Sequence, residues 1–188
     1  IPPNKEKVLY EDESIIIHNL VLKHSIPSSG FLFKEKKKAR NIIKEKIEEY
    51  NIPINEMTNI KNGADFRLED GKIIANKELT TISKLLHSYG FCSDTTFVEE
   101  NIKTIKGVTL LYHETTFMQD LEGKAKQTGH STTMDAANMA KRAKVKNLLI
   151  GHFSSRYKDL NNLLAETKSV FPDTFLAIDG SIFDFDTI

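Results

Sequence analysis

The chain has 188 residues, of which 39% are apolar and 28% are charged, as is typical of a globular domain rather than a disordered segment. Its 26 basic residues balance 26 acidic ones, so only a local basic patch could indicate a nucleic-acid partner. The single cysteine excludes a disulfide framework, and no apolar run approaches the roughly 18 to 20 residues of a membrane helix. We therefore expect a cytoplasmic protein without a membrane partner.

The first part of the chain is predicted to form β-strands. Residues 8–10 and 14–23 are rich in β-branched and aromatic side chains, and an acidic turn separates them. His24 stands at the end of the second strand, and residues 31–33 form a third. A lone histidine in such a place is more often structural than functional.

A basic run follows, with seven Lys and Arg side chains against two Glu between residues 34 and 46, and we expect it to run into a helix. Turn-forming Asn, Gly and Asp residues between 54 and 82 predict small ribbons and loops. We interpret 34–82 as an inserted arm. Such a run is usually a solvated face; alternatively, it grips an RNA backbone. Its basic residues are Lys34, Lys36, Lys37, Lys38, Arg40, Lys44 and Lys46.

From residue 89 onward, strands and helices alternate. Strands are predicted at 89–93, 108–112, 146–151 and 174–178, and helices at 97–106, 118–127, 133–144 and 159–170. This alternation predicts an α/β fold whose sheet is at least partly parallel.

Three of these strands end on side chains that can bind a metal or carry a proton. Asp94 follows one strand, Glu114 ends the next together with His113, and His152 follows a third. The carboxyl ends of strands in open α/β sheets converge on one crevice, so these side chains can meet there. Imidazole and carboxylate suit zinc or manganese, and both carry protons in hydrolysis. The pattern predicts a metal-dependent hydrolytic site, although helix capping by Asp94 and a backbone bond of His152 are simpler alternatives.

A fourth group lies at the start of a predicted helix. Glu114 can accept a hydrogen bond from His130, while Ser131 or Thr132 caps the helix, and phosphate could lie on the exposed N–H groups there. His130 would then protonate a leaving oxygen. Arg156 suits a phosphodiester because its guanidinium binds phosphate with two N–H groups. Each of these residues also has a purely structural or surface interpretation.

Taken in order, these residues and their flanking motifs resemble the ribonuclease Z family, which consists of transfer-RNA 3′-processing endonucleases of the metallo-β-lactamase fold. The matched blocks are His24, Asp94, His113-Glu114-Thr115-Thr116-Phe117, His130-Ser131-Thr132 and His152-Phe153-Ser154-Ser155-Arg156-Tyr157. The resemblance implies part of an αββα sandwich, with a mixed sheet, flanking helices and a protruding arm at 34–82.

The resemblance also implies the chemistry. His24 would bind one zinc ion, His152 a second, and Asp94 would bridge both, with Mn²⁺ or Mg²⁺ as alternatives to Zn²⁺. His130, oriented by Glu114, would donate a proton, and Arg156 would contact phosphate. The substrate would be precursor tRNA, gripped by the arm of the opposite subunit in a homodimer, and the product would lack its 3′ trailer.

One departure from the family is the absence of its His-x-His-x-Asp-His motif. Three protein ligands cannot complete two zinc sites, because a catalytic zinc usually takes about three. We therefore expect residues 1–188 to be the C-terminal part of a longer enzyme, a part that alone binds zinc poorly and cuts nothing. The alternatives are a catalytically silent tRNA-binding module and another phosphodiesterase of the same fold.

Overall fold

The computed structural model describes residues 7–36, 39–82 and 86–188. These fall into two compact units: a larger one of the described residues up to 35 and from 87 onward, and a smaller one between 36 and 86. Lys37 and Lys38 of the basic run lie outside the described residues. Within the described ranges, no helix is both long enough and apolar enough to cross a membrane.

The described strands are, in chain order, β1 Lys7–Glu11, β2 Ile15–Val21, β3 Ser29–Glu35, β4 Asn41–Ile42, β5 Phe66–Arg67, β6 Ile73–Ile74, β7 Thr80–Thr81, β8 Ser88–Cys92, β9 Leu110–Glu114, β10 Asn147–Gly151 and β11 Thr174–Leu176. The described helices are α1 Lys44–Glu49, α2 Ile54–Lys61, α3 Asn76–Leu79, α4 Asn101–Thr104, α5 Glu122–Thr128, α6 Thr133–Ala143 and α7 Asn161–Lys168, with a 3₁₀ turn at Gln119–Leu121.

A mixed sheet organises the larger unit, in the order β1-β2-β3-β8-β9-β10-β11. The pairs from β1 to β8 are antiparallel, whereas β8, β9, β10 and β11 pair in parallel. The predicted partly parallel α/β fold is therefore confirmed. Its consequence for function is that β8, β9 and β10 end side by side at one edge of the sheet.

The two faces of this sheet differ. On one face, Leu32, Leu111 and Leu148 pack with Ala136 and Met139 of α6 in the main hydrophobic core. The opposite face carries half-buried aromatic rings that stack in pairs, Phe33 on Tyr89 and Phe91 on Tyr112.

The smaller unit has a core of its own, built from Ile52, Ile60, Ile74 and Leu79. The prediction of only ribbons and loops here was incomplete, because α2 places Ile60 at the centre of this core. Two short ladders, β4 with β7 and β5 with β6, complete the unit.

The basic run leads into a helix as predicted, but most of the run itself lies before that helix. Lys34 lies in β3, where it pairs with Ile16 and Ser88, and so belongs to the sheet of the larger unit. β-branched Ile42 pairs with Thr80 in β4, and α1 begins only at Lys44. Strand pairing thus keeps Ile42 out of the helix.

Replacing Ile60 by alanine should destabilise the smaller unit by about 2–5 kcal/mol, because this fully buried side chain leaves a cavity in a small core. Amide hydrogen exchange should show faster exchange in α2 and β7. Leu111→Ala is the matched control in the larger core and should accelerate exchange in β9 and β10 instead. Equal effects of both variants on both units would contradict two separate cores.

Candidate active site

Neighbouring parallel strands bring the predicted site residues together. Asp94 follows β8, Glu114 is the last residue of β9, and His152 directly follows β10. With His130, they form a group whose potential ligand atoms all lie within 4.8 Å of one another. The crevice expected at the strand ends therefore contains both carboxylates and two imidazoles.

Asp94 and His152 have an uncommon backbone conformation. Their φ angles are +55° and +59°, in the left-handed region that residues other than glycine rarely adopt. Ser28 stabilises the first turn by donating its hydroxyl to the carbonyl of Asp94 at 2.9 Å. Such strain costs on the order of 1–3 kcal/mol and is found mainly at functional sites.

Glu114 is fully buried, and four groups donate to its carboxylate. They are the N–H of Thr95 at 2.6 Å, the N–H of Ser131 at 3.1 Å, the hydroxyl of Thr116 at 2.5 Å and Nδ1 of His130 at 3.0 Å. Burial by itself would raise the pKa of Glu114, but these hydrogen bonds outweigh it and hold the pKa below its ordinary value. The carboxylate is therefore ionised.

The Glu114 contact fixes the proton on His130. An ionised carboxylate only accepts hydrogen bonds, so Nδ1 of His130 carries the donated proton and Nε2 remains free. The His130 side chain is 17% exposed, which leaves Nε2 a route to a substrate. The preceding residue, Gly129, has φ +77°, and a Cβ there would lie 3.0 Å from Nδ1 of His24. Glycine is thus required for both the turn and the close approach of His24.

Asp94 and His152 meet on the more open side of the site. Nε2 of His152 lies 3.1 Å from Oδ1 of Asp94, and the two side chains are 39% and 48% exposed. A carboxylate oxygen and an imidazole nitrogen at this spacing are a donor set that fits Zn²⁺ or Mn²⁺. Glu114 and His130 are committed to each other, so Asp94 and His152 are the residues best placed to hold a metal.

His24 lies beside the four-residue group but is not part of it. Its ring centroid is 4.8 Å from that of His130, and its Nδ1 contacts the carbonyl oxygen of Gly129 at 2.9 Å. Among the described residues, it is not in the four-residue group around Asp94. His24 therefore has only Nε2 left to offer a metal.

Ser131 and Thr132 have no N–H group to offer phosphate. Both residues are fully buried, and their N–H groups donate to Glu114 and Asp135. Thr132 is the N-cap of α6 and forms a capping box with Asp135. The contacts give no support to the phosphate role predicted for these two residues; instead, they hold the helix and Glu114 in place.

Arg156 is exposed beside the site. Its Nε donates to Oγ of Ser154 at 3.1 Å, and its guanidinium lies 5.1 Å from the centroid of the Phe117 ring. The Phe117 ring is in turn 6.3 Å from that of His130. The other guanidinium nitrogens of Arg156 remain able to bind an anion near His130.

The basic residues of the smaller unit differ in availability. Arg40 is half-buried and donates to Oγ1 of Thr80 at 2.5 Å. Lys46 pairs with Glu49 at 2.6 Å, whereas Lys44 is exposed.

Thr95 and Thr116 are buried and donate to Glu114, a role that was not predicted from the sequence. Their positions in the sequence could have indicated this role, since Thr95 directly follows Asp94 and Thr116 lies two residues after Glu114. A buried polar residue just beyond a strand end needs a hydrogen-bond partner.

No protein-family model matches the chain. Among curated proteins, ribonuclease Z of Phocaeicola vulgatus is 47% identical over 175 residues, covering 93% of this chain and 57% of the relative. Ribonuclease Z of Porphyromonas gingivalis strain W83 is 45% identical over 177 residues, covering 94% and 58%. The chain is homologous to ribonuclease Z. It spans a little over half the length of these relatives.

Solved structures support the fold. The metallo-β-lactamase fold protein YhfI from Bacillus subtilis matches 93% of the chain and 51% of its own, with a TM-score of 0.60 and 18% identity. A long form RNase Z from yeast matches 96% of the chain and 19% of its own, with a TM-score of 0.59 and 20% identity. The short form of human tRNase Z matches 96% and 47%, with a TM-score of 0.55 and 22% identity. The large mixed sheet with flanking helices thus has the metallo-β-lactamase fold, as the resemblance implied.

The lowered pKa of Glu114 predicts a specific acid sensitivity. A carboxyl whose pKa is lower in the folded than in the unfolded state stabilises the fold at every pH above its unfolded-state pKa, about 4.5. This stability is lost as the pH falls from about 4.5 through the folded-state pKa. Urea unfolding between pH 3 and 7 should show this loss in the unaltered chain and a weaker one in Glu114→Gln. Glu114→Gln should also cost about 1–3 kcal/mol at pH 7, because it leaves buried donors poorly paired.

The matched control is Glu122→Gln, which removes a carboxylate from the exposed end of α5. It should leave the acid-induced loss of stability unchanged. If Glu114→Gln also leaves that loss unchanged, Glu114 is not the ionised centre described above.

Proposed function

We propose that this chain provides part of a metal-dependent endoribonuclease site that removes the 3′ trailer from precursor tRNA. The observation that carries the proposal is the pairing of buried, ionised Glu114 with His130 beside the Asp94–His152 pair. Two kinds of group needed for phosphodiester hydrolysis, a proton carrier and a metal-binding pair, are therefore adjacent. The homology to ribonuclease Z supports the choice of RNA as substrate.

In this proposal, His152 and Asp94 hold a zinc ion, with Mn²⁺ or Mg²⁺ as alternatives. A bound divalent ion would supply Lewis-acid polarisation of the phosphodiester. Hydroxide derived from water forms the new P–O bond as the P–O3′ bond breaks. His130 gives its proton from Nε2 to the departing 3′-oxygen of the tRNA, and the phosphate stays on the trailer. Glu114 stabilises the imidazolium that this role requires. Arg156 meets a non-bridging phosphate oxygen with its free guanidinium nitrogens.

The family resemblance assigns a second zinc ion, with His24 as one ligand and Asp94 as a bridge. We keep this assignment as part of the proposal, and Nε2 of His24 is the atom left for it. Asp94, His152 and His24 are too few for two zinc ions, since each usually takes about three protein ligands. We infer that polypeptide equivalent to the part of the relatives that the chain does not cover supplies the rest.

The region 34–82 is proposed as the tRNA-binding arm. Among its described lysines, Lys44 is exposed at the start of α1. The homodimer that the resemblance implies and the cytoplasmic location expected from the composition stay predictions.

Reconstitution tests the reaction. We expect the chain, combined with the uncovered part of the Phocaeicola vulgatus relative and zinc, to cleave precursor tRNA after the discriminator base. His130→Ala should lower the cleavage rate by about 10²- to 10⁴-fold, because it removes the proton donor. The readout is gel analysis of the trailer and of the tRNA 3′-hydroxyl.

His18→Ala is the matched control, since His18 lies in β2 away from the four-residue group, and it should leave the rate within about threefold. A folded, zinc-loaded complex that binds tRNA without cutting it would favour the silent tRNA-binding module. A complex that cuts other phosphodiesters but not precursor tRNA would favour a different substrate.

A salt series tests the arm. Neutralising Lys34, Lys36, Lys37, Lys38, Lys44 and Lys46 to glutamine should weaken tRNA binding and lower the slope of log affinity against log salt by roughly 0.7–0.9 per lost phosphate contact. Filter binding between about 50 and 200 mM salt measures both quantities.

The control removes the same charge from six exposed lysines outside residues 34–82, namely Lys103, Lys106, Lys124, Lys126, Lys141 and Lys144. It should change the slope much less. Equal changes in both variants would show that net charge, not the arm, accounts for binding.

A further inference from the structure

Thr116 lies where the two halves of the site meet. It sits two residues beyond Glu114, is 7% exposed, and its hydroxyl oxygen has three polar neighbours. Oε2 of Glu114 is at 2.5 Å, Nδ1 of His152 at 2.8 Å and the carbonyl oxygen of His152 at 3.0 Å. The direct distance between Nδ1 of His152 and Oε2 of Glu114 is 4.0 Å, so Thr116 mediates their contact.

The protons on these atoms can be assigned from their chemistry. A threonine hydroxyl has one proton to donate and two lone pairs with which to accept. The ionised Glu114 oxygen only accepts, and two oxygens 2.5 Å apart require a proton between them, so Thr116 donates to Glu114. The 2.8 Å contact with His152 can then form only if Nδ1 of His152 is the donor.

This assignment determines which atom of His152 faces Asp94. With the proton on Nδ1, the uncharged ring has its lone pair on Nε2, and Nε2 lies 3.1 Å from Oδ1 of Asp94. Two electron-pair donors then lie 3.1 Å apart, close enough for one cation to contact both. Hydrogen bonding at the other ring nitrogen commonly fixes a ligating histidine in this way.

We propose that Thr116 is a positioning residue that holds His152 as the Nδ1–H tautomer and relays the negative charge of Glu114 to it. The proposal rests on the function assigned above, in which His152 binds the metal. It adds that Glu114 acts on both sides of the site, directly on His130 and through Thr116 on His152. Thr116 itself touches neither substrate nor metal in this role.

Nitrogen-15 NMR of the histidine rings tests the proposal on the chain itself. Long-range ¹H–¹⁵N spectra at alkaline pH, where the ring is uncharged, should show His152 with its proton on Nδ1. Thr116→Ser keeps the hydroxyl and should keep this tautomer. Thr116→Val keeps the shape but not the hydroxyl, and should give a mixture of tautomers or the Nε2–H form.

Thr115→Val is the matched control, because Thr115 is equally buried and adjacent but does not contact His152; its hydroxyl lies 3.4 Å from the carbonyl of Gly151. It should leave the His152 signals unchanged. In the zinc-loaded reconstituted complex, Thr116→Val should lower zinc affinity by about 10- to 100-fold, measured by chelator competition, while Thr116→Ser should stay within about threefold.

An Nε2–H tautomer in the unaltered chain would overturn the proposal, even if Thr116→Val did not fold. So would an unchanged tautomer in a folded Thr116→Val variant. The tautomer is read without RNA, so an expected tautomer in a complex that does not cleave precursor tRNA would contradict the proposed function and leave the role of Thr116 standing.

Discussion

The carboxylate of Glu114 is a negative charge with no access to solvent, and the site depends on how that charge is satisfied. Burying an ionised carboxylate is very costly unless hydrogen bonds replace water. Its donors come from three chain segments: Thr95 after β8, Thr116 after β9, and His130 with Ser131 before α6. The Glu114 carboxylate therefore connects three loops through hydrogen bonds. Loss of the donors from any one loop leaves the buried charge with too few hydrogen bonds.

The charge of Glu114 also separates the site into two pairs of side chains, Glu114 with His130 and Asp94 with His152. Because Glu114 already accepts four hydrogen bonds, it has no lone pair left to bind a metal, and it holds His130 in the orientation that the proposed proton transfer needs. The proposed function assigns the metal-binding role to Asp94 and His152, whose side chains are more exposed and whose backbones are left-handed. The parallel pairing of β8, β9 and β10 makes this division possible, since it brings the three strand ends to one edge.

Periodicity and strand-end chemistry were sufficient to predict the sheet of the larger unit, the convergence of Asp94, Glu114 and His152, and the pairing of His130 with Glu114. They predicted the helix that follows the basic run but missed the short strand before it, where Ile42 pairs with Thr80 across a separation in sequence that no local pattern reveals. They did not predict that the N–H groups of Ser131 and Thr132 donate to Glu114 and Asp135, because these hydrogen-bond partners depend on the three-dimensional arrangement of the chain. The left-handed turns at Asp94 and His152 leave no signal in residue type alone.

Zinc-edge anomalous diffraction from crystals of the reconstituted complex tests the central claim most directly. We predict a peak about 2.0–2.2 Å from both a carboxylate oxygen of Asp94 and Nε2 of His152, with the Glu114–His130 pair intact and free of metal. A zinc ion bound to Glu114 or His130, or no zinc between Asp94 and His152, would contradict the account.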